Sequence, residues 1–210
     1  MMTTFDHIVH DPRFMPYWGW HDDQRDGDGT PDYRPAAQQV RQEFLDFAEA
    51  LRDLVLVRHP LKVGRSCLQL GLGVPGATHM LFSAIFDEVR SVERDRGTVD
   101  QFLHRFPDVR GGIIHGDTNS AATYQLCASF PPWDMLFIDA GHRYEEVLLD
   151  HTMYSSLVRP GGIVAFHDAV HRPQFGDGIG VWRLLAELRG DGFDVQTIGD
   201  EVGIAYYVVP

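Results

Sequence analysis

Four residues stand in two close pairs, Asp139 with His142 and His167 with Asp168. A histidine titrates near neutral pH and can take a proton from a hydroxyl, while carboxylates can orient it or hold a cation. Two carboxylates and two imidazoles in one place would suit proton withdrawal or metal binding. A second set is spaced more widely. The glycine-rich stretch Gly71-Leu72-Gly73-Val74-Pro75-Gly76-Ala77-Thr78 follows an apolar run, and Glu93 comes 22 residues after Gly71. Glycines let a backbone approach a ligand, and an acid at about that distance reaches the ribose hydroxyls of a bound nucleoside. Asp117 and Thr118 follow a third apolar run. In phase with the glycine loop, Glu93 and Asp117 are candidate ligand contacts.

Hydrophobic spacing shows the elements that must hold these residues. Ser66 to Leu70 reads as a first buried strand, with a helix from about His79 to Asp87 after the glycine turn. Val89 to Val92, Gly112 to His115, Met135 to Ile138 and Ile163 to Phe166 read as further strands. Between the last two, Val147, Leu148, Met153, Leu157 and Val158 are spaced for one buried helix face, and Arg159-Pro160-Gly161-Gly162 is expected to end that helix. Strand, helix and strand in this order make a right-handed parallel unit, and ligands bind at the carboxyl edge of such sheets. A further helix is expected from Ile179 to Leu188. Two closing strands, Phe193 to Ile198 and Ile204 to Val209, flank a turn short enough for an antiparallel hairpin.

Upstream, Val40, Phe44, Phe47, Leu51, Leu54 and Val55 predict an amphipathic helix over Pro35 to Val57. Residues 1–34 carry aromatics without a sustained period and read as an arm that either docks on the domain or, through Trp18 and Trp20, walls a pocket. The expected organisation is one α/β domain: residues 1–58 supply the arm and flanking helix, and residues 59–210 the main body.

The bulk numbers narrow the functions. A chain of 210 residues with 44% apolar and 23% charged residues is ordinary globular material. With 18 basic against 30 acidic residues the net charge is −12, which repels phosphate backbones and anionic lipid, so neither nucleic acid nor membrane is expected as a partner. Neither a long apolar span nor an N-terminal signal is present, and a cytoplasmic location is expected. Cys67 and Cys127 lack metal-ligand spacing and read as packing residues. Homo-oligomerisation stays open.

These residues resemble class I S-adenosylmethionine-dependent methyltransferases, and among them most nearly the small-molecule O-methyltransferases of the cephalosporin-hydroxylase-type and macrolide-sugar group. The resemblance spans roughly residues 60–210. It rests on FIDAGHRYEEVLLD followed by LVRPGGIVAFHD, with support from GVWRLLAELRG and EVGIAYYVV near the end. It implies a Rossmann-like sheet of seven strands, mostly parallel with the last antiparallel and helices on both faces. By position, Gly71, Gly73 and Gly76 would shape the methionine and ribose end of an S-adenosylmethionine pocket. Glu93 would hold the ribose, Asp117 and Thr118 would flank the adenine, and Asp139 would stand where cofactor and acceptor meet. His142 takes the place of the general base that activates a small-molecule hydroxyl. In metal-dependent relatives a divalent cation, magnesium or manganese, is held at the positions of Asp139, His167 and Asp168.

The chain also departs from that pattern. Gln69 replaces an acid at the end of strand one, Pro75 a glycine, and Ala77 a small hydroxyl residue, with Gly76 and Thr78 available to compensate. An imidazole at 167 argues for manganese, iron or zinc, or for no metal. Two other readings remain at this point: a catalytically silent methyltransferase fold serving as a binding or scaffold protein, and a nicotinamide-dependent oxidoreductase.

Overall fold

The computed structural model describes residues 40–51, 54, 65–73 and 76–210. The arm with Trp18 and Trp20, both ends of the expected 35–57 helix and Pro75 lie outside these residues.

Among the described residues the sheet has seven strands: β1 (Ser66–Leu70), β2 (Glu88–Glu93), β3 (Ile113–His115), β4 (Trp133–Ile138), β5 (Val158–Phe166), β6 (Gln196–Ile198) and β7 (Ile204–Val208). Their order across the sheet is β3-β2-β1-β4-β5-β7-β6. The pairs from β3 to β5 are parallel, and β7 runs antiparallel to both β5 and β6. This is the mixed sheet expected from the sequence. The α-helices among the described residues are α1 (Arg41–Leu51), α2 (Ala77–Ser83), α3 (Arg96–Arg105), α4 (Ala121–Ala128), α5 (Tyr144–Tyr154) and α6 (Val181–Gly190).

Both faces of the central strands are buried, and side chains alternate between two cores because the strand period is two. Met135 and Phe137 of β4 join Phe44 and Phe47 of α1 and Phe82 of α2 on one face. Leu136 and Ile138 join Tyr154, Leu184 and Leu185 on the other. Cys67 and Cys127 are buried thiols within these two cores, in line with packing roles. At the amino edge of the sheet, the buried Asp134 accepts from Ser66 N–H at 2.7 Å and from Arg159 Nε at 2.6 Å. That acid fastens strands together. Glu43 of α1 does the same over a longer distance in sequence: its buried carboxylate accepts from Glu201 N–H and Gly203 N–H, each at 2.9 Å, in the turn between β6 and β7.

Several expected boundaries are corrected. Helix α2 occupies Ala77–Ser83, not His79 to Asp87. Gly76 starts it in the left-handed conformation (φ +77°), and the Ala84 N–H turns back to Leu81 and Phe82 carbonyls to end it. Arg159-Pro160-Gly161-Gly162 does not end a helix. Helix α5 stops at Tyr154, and the four residues lie inside β5, where the register against β4 shifts and Gly161 adopts φ +76°. A bulge accommodates a proline that cannot donate to the ladder. The last helix begins at Val181, not Ile179, and β6 is three residues long, beginning at Gln196 and not Phe193. Helices α3 and α4 were not among the expected elements. Among the described residues, no helix is long and apolar enough to cross a membrane.

Candidate active site

Backbone hydrogen bonds carry the parallel ladders one residue past the strands. Gly71 N–H donates to Val92 O, Asp139 N–H to Leu70 O, Gly116 N–H to Glu93 O and His167 N–H to Ile138 O. These bonds set the sequence-predicted residues at one level along the carboxyl edge. The chain winds outward from β1 through β2 to β3 and returns to start β4 on the other side, so a crevice opens at the switch between β1 and β4. There lies a cleft of about 370 Å³ walled by Gly71, Gly73 and Glu93, by Asp117 and Thr118, and by Asp139 and His142.

The two glycines serve different ends. Gly71 has φ +88°, and a Cβ there would fall on the Asp139 carbonyl, so it permits close packing of two strand ends. Gly73 has φ +65° and nothing within 4 Å of where a Cβ would stand, which leaves the cleft open. Gly76 and Thr78 do not wall the cleft. Gly76 is pressed against the Phe102 ring, and Thr78 is buried in the first turn of α2. The Glu93 carboxylate is fixed by two backbone amides, Leu72 N–H at 3.3 Å and Asp95 N–H at 2.8 Å. Asp117 accepts from Asn119 N–H at 2.9 Å.

The two Asp/His pairs interlock. His142 Nδ1 lies 2.9 Å from Asp168 Oδ2, and His167 Nδ1 lies 3.0 Å from Asp139 Oδ1 and 3.4 Å from Asp168 Oδ2. Asp168 also forms an ion pair with Arg172, four residues on in sequence. Its backbone has φ +56°, a left-handed conformation uncommon outside glycine and frequent at functional sites. The side chain of His142 is 40% exposed whereas that of His167 is 4% exposed, so only the former faces solvent in the cleft. The hydrogen bond to Asp168 raises the pKa of His142 above its ordinary value; burial opposes this, and the charges of Asp139 and Asp168 reinforce it. For His167, burial opposes a charge, but Asp139 and Asp168 outweigh it and hold the pKa up at about 10. Burial acts to raise the Asp168 pKa, yet His142 and His167 keep that carboxyl well below the usual range.

Sequence reading missed Asp150. This residue is 1% exposed, borders the cleft and has an Oδ1 without a hydrogen-bond partner. Burial pushes its pKa up to about 6, against hydrogen bonds from the Thr118 side chain and the Gly141 amide. A signal was present: Val147, Asp150 and Tyr154 form the buried stripe of α5, and a carboxylate on such a stripe is out of place unless it has a task. Arg94, Asn119, Arg143 and Glu146 also border the cleft, on loops and helix starts that hydrophobic spacing does not read.

Asp139, His142 and Asp168 each bring one donor, all within 4.8 Å of one another, with His142 in place of the expected His167. Distance admits a metal, but charge opposes it. Asp168 is already engaged by Arg172 and by both histidines, and His167 Nδ1 is paired with Asp139. A cation held by Asp139, His142 and Asp168 would compete with Arg172 and His167 for the same carboxylates.

Known proteins supply the context. A family model described as a methyltransferase domain matches residues 62–169, just over half of the chain, and the chain belongs to that family. Comparison with curated protein sequences gives no match. The O-methyltransferase TomG from Streptomyces achromogenes, involved in tomaymycin synthesis and solved with S-adenosylmethionine, is 19% identical. It superposes with a TM-score of 0.60 over 86% of this chain and 83% of TomG. The methyltransferase PaMTH1 of Podospora anserina, solved with S-adenosylhomocysteine, is 14% identical, with a TM-score of 0.59 over 82% of this chain and 80% of its own. MycE, from the mycinamycin biosynthetic pathway and solved with magnesium, S-adenosylhomocysteine and mycinamycin VI, is 19% identical. Its TM-score is 0.56 over 78% of this chain, which spans about half (48%) of MycE. At such identities the likeness is one of fold: the seven-stranded methyltransferase sheet.

Proposed function

We propose that this chain transfers a methyl group from S-adenosylmethionine to a hydroxyl of a small molecule, of the sugar or secondary-metabolite kind, with His142 as general base. The observation that carries the reading is His142, paired with Asp168, standing at the border of the cleft that also holds Gly71, Glu93 and Asp117. The cleft fits the cofactor on three counts: an open glycine at 73, a carboxylate at 93 oriented by backbone amides, and Asp117 beyond it. S-adenosylmethionine supplies an electrophilic methyl group on a sulfonium.

The protein supplies position and proton removal. Asp168 accepts from Nδ1–H of His142, which leaves the lone pair of a neutral ring on Nε2 to take the acceptor hydroxyl's proton. Arg172 and His167 hold Asp168 ionised, so the carboxylate orients the imidazole without itself receiving that proton. Asp139, tied to His167, presents a second carboxylate beside the acceptor's position. No step calls for a metal. The family match speaks against the nicotinamide-dependent alternative.

Two measurements test the proposal: calorimetric binding of S-adenosylhomocysteine, and S-adenosylhomocysteine release from S-adenosylmethionine across a panel of hydroxylated sugars and secondary metabolites. Turnover that is lost in His142→Ala is the expected result. Absence of cofactor binding at millimolar concentration would leave the catalytically silent fold standing.

A further inference from the structure

Behind the glycine turn runs a chain of hydrogen bonds with one direction. The Gly71 carbonyl can only accept, so Gln69 turns its amide Nε2 toward it, at 2.7 Å. Gln69 Oε1 then faces Ser91, whose hydroxyl must donate, at 2.9 Å. With that proton committed, Ser91 Oγ accepts from His79 Nδ1–H at 2.8 Å. All three side chains are buried. Burial, with Arg90 adding to it, lowers the His79 pKa to about 4, so the ring is neutral and its single proton sits on Nδ1. On the cleft side, the peptide whose oxygen accepts from Gln69 donates its own N–H, that of Leu72, to Glu93 Oε2 at 3.3 Å. Donors and acceptors thus alternate from α2 through β2 and β1 to the cleft carboxylate, and in a low-dielectric interior each such bond polarises the next.

We propose that His79, Ser91 and Gln69 are positioning residues that fix the plane of the Gly71–Leu72 peptide and, through its N–H, aim the Glu93 carboxylate at the ribose hydroxyls of the cofactor. The proposal rests on the cleft being the S-adenosylmethionine site. Gln69, which occupies a position where relatives commonly carry an acid, has a reason to be an amide: an ionised carboxylate has no proton to give the Gly71 carbonyl.

The test is a double-mutant cycle read by calorimetric binding of S-adenosylhomocysteine to wild type, Ser91→Ala, Glu93→Ala and the double variant. Removing the hydroxyl is expected to weaken binding about tenfold when Glu93 is present and less than about twofold when it is absent. Gln69→Met, close in volume and without a donor, is expected to repeat the loss and serves if Ser91→Ala does not fold. An equal effect in both backgrounds, or none, overturns the proposal. Amide hydrogen exchange of the ligand-free protein gives a second readout. Faster exchange at Leu72 in Ser91→Ala and Gln69→Met is expected, and unchanged rates overturn the relay. Failure of the wild type to bind S-adenosylhomocysteine would sink the cofactor reading itself, while the exchange rates still decide whether the chain holds the turn.

Discussion

Asp168 grips His142 by a single nitrogen, Nδ1 to Oδ2 at 2.9 Å, and that grip sets when the histidine can act. The hydrogen bond raises the pKa of His142 above 6.5. Only the neutral ring can accept a proton, so turnover should rise with pH through a midpoint above 6.5 and be lost below it. Titration of the His142 ring by NMR gives the same midpoint without an acceptor. Asp168→Asn should shift the midpoint to lower pH and reduce kcat by about 10²–10⁴-fold, the range a positioned base contributes. An unshifted midpoint in this variant would remove Asp168 from the mechanism.

His167 makes stability pH-dependent in the opposite sense from most acid-sensitive proteins. Its folded pKa, about 10, lies above the unfolded value of 6.5. The stabilisation is therefore complete below pH 6.5 and drains away as pH rises toward 10. Urea unfolding between pH 6 and pH 10 should show a falling free energy, and His167→Asn should flatten that slope. A wild-type curve that rises over this interval contradicts the buried imidazolium.

Chelation should leave the protein unaffected. Because Arg172 and His167 already neutralise the carboxylates, both cofactor affinity and turnover are expected to stay within about twofold after EDTA treatment, a change worth less than ~0.4 kcal/mol. Activity lost to EDTA and restored by magnesium or manganese would show that the cation displaces Arg172.

Glu43→Ala should destabilise the fold by about 2–4 kcal/mol in urea titrations, since two backbone amides lose a charged acceptor. Gly199→Ala should act through the same contact, because a Cβ there would fall on the Glu43 carboxylate and the backbone has φ +80°. A loss below about 0.5 kcal/mol for Glu43→Ala would mean water replaces the carboxylate at no cost.

The sheet and its active edge could be read from the sequence because β2 to β5 each end in, or are followed within two residues by, a polar group suited to a ligand: Glu93, Asp117, Asp139 and His167. Helices α3 and α4 could not. Helix α4 buries only Thr123 and Cys127, so no apolar stripe marks it, and α3 is announced mainly by its cap, Asp95 accepting from Thr98 N–H at 2.6 Å. The Arg159–Gly162 stretch misled because proline and glycine stop helices and also build bulges, and only the register against β4 tells which. In the site, residue types pointed to Asp139 and His142, but the pairing was hidden. His167 is buried at the end of β5 while His142 faces the cleft, and sequence spacing does not tell the two imidazoles apart.

Glu43 closes its two hydrogen bonds with residues 158 and 160 positions further along the chain. At the ~5–20 residues per second of ribosomal synthesis, roughly 10–30 s pass between the making of that carboxylate and the arrival of its partners. Throughout that interval α1 carries an anion destined for the interior, which favours keeping it in water. The β6–β7 hairpin thus supplies the two amides that the Glu43 carboxylate needs before α1 can bury it.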